Sequence, residues 1–310
     1  MDQQNNTVEF FIVGFSDVPN VRFPLFLFFL LVYIMTIVGN LILIVLISSS
    51  SLFSTPMYFF LCNLSTLDIV YTSVTSPKLI HIFATNNGKI SFLECMVQLF
   101  FFDAFWNTEY FLLTVMAYDR YVAICKPLHY MMIMNRRLCI IAAAGTWIGG
   151  MLGSITPTVP TAMATYRTFN ILNHFFCDIK ALETVAIGNA SYIRNAILVH
   201  GLLCVTTSLV LILVSYFYII TTIFMIRSRK GKYKAFSTCA SHLSMVSMFY
   251  ILLFDLYFRP KSTVSPHEGK VLTVLYVYII PLLNPAVYSF RNREVKEACR
   301  KMIKKNVVRK

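Results

Sequence analysis

From Leu25 to Ile47 the chain runs for 23 residues without a charged side chain. Wound as a helix at about 1.5 Å per residue, such a run reaches roughly 34 Å. A bilayer core is about 30 Å thick, so the run is long enough to cross it. Hydrocarbon offers no water to backbone amides and carbonyls, which leaves a helix or a closed barrel as the spanning form. Six further apolar stretches follow, at about residues 57–77, 96–119, 138–160, 196–226, 236–258 and 271–290. The expected architecture is an all-α membrane protein. A seven-transmembrane helix bundle fills residues 25–290, between an N-terminal segment, 1–24, and a tail, 291–310. The first run is too long and begins too late for a cleavable signal peptide, and is expected to act as a signal anchor.

Charge supports this and adds direction. Apolar residues make up 57% of the chain and charged residues 13%, against about 25% charged in a soluble domain. So little charge cannot coat a water-facing surface, which excludes a soluble enzyme, a disordered chain and a coiled coil. The remainder is lopsided, with 27 Lys and Arg against 14 Asp and Glu, a net of +13. Such an excess attracts either nucleic acid or a membrane surface. Its placement decides: 18 of the 27 basic residues lie in 120–137, 227–235 and 291–310, on one side of a seven-span chain, and none lies within a span. The positive-inside rule then puts the C-terminus in the cytoplasm and the N-terminus outside. No nucleic acid is needed to explain the charge. Asn5 and Asn189 head glycosylation sequons in segments expected to lie outside. A third match, at Asn63, falls within a span and is discounted. The longest connection, 161–195, carries His174-Phe175-Phe176-Cys177 and is expected to form an ordered lid.

Local patterns now line up in order. Gly39-Asn40 lies in the first span, and Leu67-Asp68 in the second. Met116-Ala117-Tyr118-Asp119-Arg120-Tyr121-Val122-Ala123-Ile124-Cys125 closes the third, and Pro281-Leu282-Leu283-Asn284-Pro285-Ala286-Val287-Tyr288 the seventh. Together they resemble a rhodopsin-like G-protein-coupled receptor. Pro56-Met57-Tyr58-Phe59, Ser215-Tyr216 and the string from Lys234 to His242 narrow the resemblance to the odorant (olfactory) receptors. The resemblance covers nearly the whole chain. It implies a small-molecule odorant bound within the bundle and a heterotrimeric stimulatory G protein as partner, with cAMP rising on activation. It implies no enzymatic activity.

Four acids lie well inside the spans: Asp68, Asp103, Glu109 and Asp255. Intramembrane charge is costly and marks candidate functional sites. Asp68 and Glu109 match positions the family shares, with Asn40 and Asn284 beside them. The resemblance implies a mid-membrane polar cluster of the kind that holds a sodium ion in related receptors. Without an ion, the same residues form a hydrogen-bonded packing network. Asp103 belongs to no shared motif. It lies eight residues after Cys95, about 12 Å along a helix. Trp106, Asn107 and Tyr110 follow on its face at helical spacing. Two readings stay open: a carboxylate that meets a cationic ligand, or a protonated Asp103 bonded to Asn107 or to the backbone. Asp255 has Arg259 four residues on, a local neutralising pair. Phe254 and Tyr257 match pocket-lining positions of the family.

Further roles follow from the resemblance. Asp119 restrains Arg120 at rest, and the freed guanidinium reaches the G protein. Tyr216 and Tyr288 swing inward in the active state, and His242 joins the same switch. Pro285 removes an amide donor inside the seventh span and allows a hinge. Span six departs from most rhodopsin-like receptors: Phe249-Tyr250 replaces the usual Cys-Trp-x-Pro, as in odorant receptors, and Ile251 stands where the family often has glycine. The family joins Cys95 to Cys177. Two further loop cysteines common in the family are both absent, replaced by Arg167 and Ile187. No His/Cys cluster has metal-ligand spacing. In the tail, Val295, Cys299, Met302 and Ile303 fall near one face among bases, the pattern of a short amphipathic helix on an anionic bilayer surface. The nearest rival is a non-olfactory rhodopsin-like receptor for a small amine, which Asp103 keeps open. A transporter or channel would call for inverted repeats or broken helices around a midplane site; the sequence has no internal repeat and no charged pore ring.

Overall fold

The computed structural model describes residues 8–14, 21–188, 191–257, 266–291 and 293–308. The side chains of 234, 238, 256–257, 266–267, 288–291, 293 and 302–308 are outside that description. Asn5, Asn189 and Arg259 therefore lie outside the described residues, as do the side chains of Tyr257 and Tyr288.

The long helices are α1 (Arg22–Ser48), α2 (Pro56–Thr85), α3 (Phe92–Cys125), α4 (Arg136–Ala162), α5 (Ser191–Met225) and α6 (Arg229–Tyr257). Next comes α7, built from Pro266–Val274, a π-helical turn at Leu275–Ile279 and Ile280–Arg291, and then the tail helix α8, Arg293–Val308. Among the described residues, α1, α2, α4, α5 and most of α7 are long and apolar enough to cross a membrane, and α6 joins them as a pair of segments bent by 43°. The exception is α3. Its 34 residues suffice in length, but Asp103, Glu109, Asp119 and Arg120 dilute its apolar character. The long helix that falls short by composition is the one richest in candidate functional residues.

Many large apolar side chains point away from the protein, among them Leu31, Ile42, Ile148, Leu203 and Phe217, each more than half exposed. In water such faces would drive aggregation; in a bilayer they meet lipid.

The chain divides into two compact units. The first comprises Met1–Ile34, Val70–Thr108 and Trp147–Thr206. It holds a small sheet of order β2-β1-β3: β1 (Glu9–Ile12) pairs antiparallel with β2 (Lys89–Ser91) and parallel with β3 (Phe169–Leu172). Alternation fixes the register, since Phe10 and Ile12 point inward and Glu9 and Phe11 do not. Phe10 meets Tyr166 edge-on at 5.2 Å, in a core with Ile90, Leu99, Leu172 and Leu182. Two devices close the adjoining helix ends. Arg22 donates to the carbonyls of Phe83 and Ala84 at 2.8 and 3.0 Å, capping the C-terminus of α2. Ser91 and Glu94 form a reciprocal capping box at the start of α3, with backbone-to-side-chain bonds of 3.0 and 3.3 Å. The hydrogen bonds that the Glu94 carboxylate accepts from Ser91 hold it below its ordinary range.

The second unit comprises Met35–Ile69, Glu109–Thr146 and Thr207–Lys310. Its core is drawn from long helices, with Phe60, Leu64, Leu112, Phe249 and Val277 almost fully buried. At the start of α2, Tyr58 donates to Glu294 at 2.8 Å and ties that helix to α8.

Candidate functional site

In the first unit, α3 carries the lid. Cys95 is disulfide-bonded to Cys177, with Cα atoms 5.5 Å apart. One turn on, Gln98 accepts the Cys177 amide at 3.0 Å and donates to the Val74 carbonyl at 3.0 Å, so the lid is held to α3 and α2 together. Aromatic packing continues the clamp. Phe176 lies 4.4 Å from Phe102, which in turn meets Tyr71 at 5.2 Å and Trp106 at 6.0 Å. The segment 161–195, expected to be an ordered lid, carries β3 and a short helix, Ile179–Val185, capped by Asp178.

Asp103 sits on this stretch of α3 and is buried. Its Oδ2 has no hydrogen-bond partner among the described residues. Asn107 is engaged elsewhere: its amide reaches the Gly150 carbonyl at 3.4 Å, and its side-chain oxygen lies 2.9 Å from His200 Nε2. An amide oxygen only accepts, so Nε2 carries the proton in that pair. Nothing in the sequence pattern had singled out His200; its partner is 93 residues away. Phe254 is 64% exposed. Tyr110 is buried in the second unit.

The second unit holds the polar core. Asn284 donates to both oxygens of Asp68, at 3.0 and 2.9 Å. Glu109 is buried and acts on Asp68 electrostatically. Asn40 donates to the carbonyls of Thr36 and Pro281, at 3.0 and 3.1 Å. The second bond answers the proline. Pro281 lies four residues before Pro285, so its carbonyl is the one that Pro285, having no N–H, leaves unpaired. Asn40 supplies the missing donor from α1. The side-chain oxygens of Asn40 and Asn284 find no donor among the described residues. Carboxylate and amide oxygens are the hard donors that a sodium ion takes.

Near the end of α3, Arg120 is bound by Asp119, its Nε 2.9 Å from Oδ2. Tyr130 donates to the other oxygen, Oδ1, at 2.8 Å. Both oxygens of Asp119 are thus occupied, and Asp119 and Arg120 are buried. Burial, with Asp119 beside it, raises the Tyr130 phenol above its ordinary range. Tyr216 and His242 form a second contact at 2.7 Å, and His242 Nε2 lies 3.2 Å from the Leu113 carbonyl. That carbonyl can only accept, so Nε2 donates and Nδ1 receives the Tyr216 hydroxyl. The imidazole links α3, α5 and α6. Ser208 makes a parallel link, lying 2.5 Å from the Tyr250 hydroxyl and 2.8 Å from Thr114. The contacts of Tyr130 and Ser208 bridge distant segments and carry no local sequence signal.

Comparison with known proteins agrees with this architecture. The family model described as olfactory receptor matches residues 29–306. Mouse olfactory receptor 5AR1 is 41% identical over 309 residues, covering 98% of this chain and 99% of its own. Human olfactory receptor 5B12 is 44% identical over 307 residues, covering 98% and 97%. Among solved structures, squid rhodopsin superposes with a TM-score of 0.70 at 20% identity, over 90% of this chain and 80% of its own, which speaks to the fold. Matched by these receptors across almost its full length, the chain belongs to the olfactory receptor family, as a multi-pass plasma-membrane odorant receptor of the G-protein-coupled class that signals without enzymatic chemistry of its own.

Proposed function

We propose that the N-terminus is extracellular, that an odorant is held on α3 beneath the lid, and that the signal leaves through Arg120 to a stimulatory G protein, raising cAMP. The observation that carries this reading is the closed state of Asp119, whose two oxygens hold Arg120 and Tyr130. A buried guanidinium bound by its neighbour is a stored contact: opened, its planar fork can donate to the G protein. Tyr216, His242, Asn284, Pro285 and Tyr288 complete the switch, and Asn40 stands in for the amide that Pro285 lacks. Asp103, Trp106 and Asn107 form the ligand-facing stretch of α3; Phe254 and Tyr257 join them on the family resemblance alone. Asp68 and Glu109 hold a sodium ion in the resting state, with Asn40 and Asn284 beside it. Asn5 and Asn189 are glycosylated, and α8 rests on the lipid bilayer. Ligand shifts the population only through its differential affinity for the open state.

The test is a cAMP assay in cells supplied with the olfactory-type stimulatory G protein and a broad odorant panel. Wild type is expected to respond to some of the panel. Arg120→Ala is expected to abolish the response at matched surface expression. Undiminished cAMP in that variant would overturn the switch assignment.

A further inference from the structure

Asp103 remains unexplained once fold and switch are accounted for. The residue is 8% exposed, and its Oδ2 meets no donor among the described residues. No described lysine or arginine pairs with it either. A buried carboxyl in that position must keep its proton or be met by a cation. A second acid adds to the demand for positive charge there. Asp178, buried on the lid directly after Cys177, acts on Asp103 electrostatically. The Cys95–Cys177 disulfide, the Gln98 bond to the Cys177 amide and the Phe176–Phe102 contact all hold this part of the lid against α3. Asp178 also accepts the amides of Lys180 and Ala181 at 2.9 and 3.3 Å, the bonds of a helix N-cap.

The neighbouring side chains say which cation. Phe102, Trp106 and Phe176 pack ring to ring on the same stretch, and His174 meets Phe176 edge-on at 4.7 Å. Asp103 and Asp178 belong to no group of three or more acidic, histidine or cysteine side chains that could hold a metal ion, none being found among the described residues. Carboxylates beside aromatic faces suit a substituted ammonium, which takes an ion pair at the head and ring contact along the body.

We propose that Asp103 and Asp178 form the head-group site for a protonated organic amine, making amines the ligand class of this receptor. The proposal rests on the odorant-receptor reading above. Asp103 pairs with the ammonium, Asp178 adds field from the lid, and Phe102 and Trp106 pack the alkyl or aryl body.

The experiment uses the full chain in cells, with aliphatic and arylalkyl amines each matched to the alcohol of the same shape, read as cAMP at matched surface expression. An ion pair removed from water with ring contact is expected to favour each active amine over its alcohol by about tenfold or more. Asp103→Asn is expected to collapse that ratio towards unity. Asp103→Glu, which keeps the charge, is expected to preserve its direction, and Asp178→Asn to reduce it. Silence to every amine, equal potency of amine and alcohol, or a preference that survives Asp103→Asn would each overturn the proposal. Responses confined to neutral odorants would do so while leaving the receptor reading intact. Full cAMP from Arg120→Ala would instead overturn the coupling reading and leave the amine site standing.

Discussion

At the scale of single residues, this protein is decided by what touches across helices, and sequence reveals that unevenly. Asp68, Asp103 and Glu109 were legible because charge within an apolar run is conspicuous. Asn40 was legible as a motif, but its partner was not. Only the folded chain shows that it repairs the carbonyl orphaned by Pro285. Gly150 carried no signal at all. In the structure a Cβ there would collide with the Thr108 hydroxyl and lie 2.6 Å from the Ala104 carbonyl oxygen. Helices α3 and α4 approach so closely that a hydrogen is all the site admits. Gly150→Ala is therefore expected to destabilise the protein by about 1–3 kcal/mol, the usual cost of overpacking. Gly145, on the same helix, has nothing within 4 Å of such a Cβ. Gly145→Ala is expected to be neutral or to stabilise by up to about 1 kcal/mol, through helix propensity. Thermal unfolding of the two purified variants in detergent checks the pair; equal midpoints would contradict the close approach.

At the scale of elements, the helices were readable and the strands were not. A bilayer forces long apolar runs, and such runs stand out in any sequence. The three strands have only three or four residues each, and their pairing joins segments some 80 and 160 positions apart. No local periodicity announces such a sheet. The true extent of α2 was also hidden. Its apolar character fades near residue 77, yet the helix continues through Pro77 to Thr85, where Arg22 caps it. The lid depends on its anchor. Cys177→Ser removes a cross-link spanning 82 residues and is expected to cost roughly 2–5 kcal/mol, read as loss of surface-expressed receptor by flow cytometry. The capping box at the head of α3 adds a pH-dependent share. Glu94 titrates below its ordinary value of 4.5 because its carboxylate accepts hydrogen bonds from Ser91. Its contribution is fully present above that value and is lost as pH falls through the lowered one. The stability advantage of wild type over Glu94→Ala is therefore expected to be steady near neutral pH and to shrink under acid. A gap that widens in acid would contradict the assignment.

At the scale of the whole molecule, the order of the motifs marks the receptor class. Any one of the short motifs could arise by chance. Their sequence along seven apolar stretches pointed to one receptor class before any contact was known, and the family match over residues 29–306 bears this out. What sequence could not supply was the packed arrangement: Asp119 satisfied on both oxygens, and His242 held between Tyr216 and the Leu113 carbonyl. Those contacts join residues up to 129 positions apart and exist only once the helices pack. On the proposed function, ligand opens the Asp119–Arg120 contact to a stimulatory G protein. The most direct measurement is nucleotide exchange on that G protein by purified receptor in lipid nanodiscs, with and without an activating ligand. Ligand is expected to accelerate exchange with wild-type receptor and to have no effect with Arg120→Ala. Ligand-driven exchange that proceeds equally well without Arg120 would contradict the account.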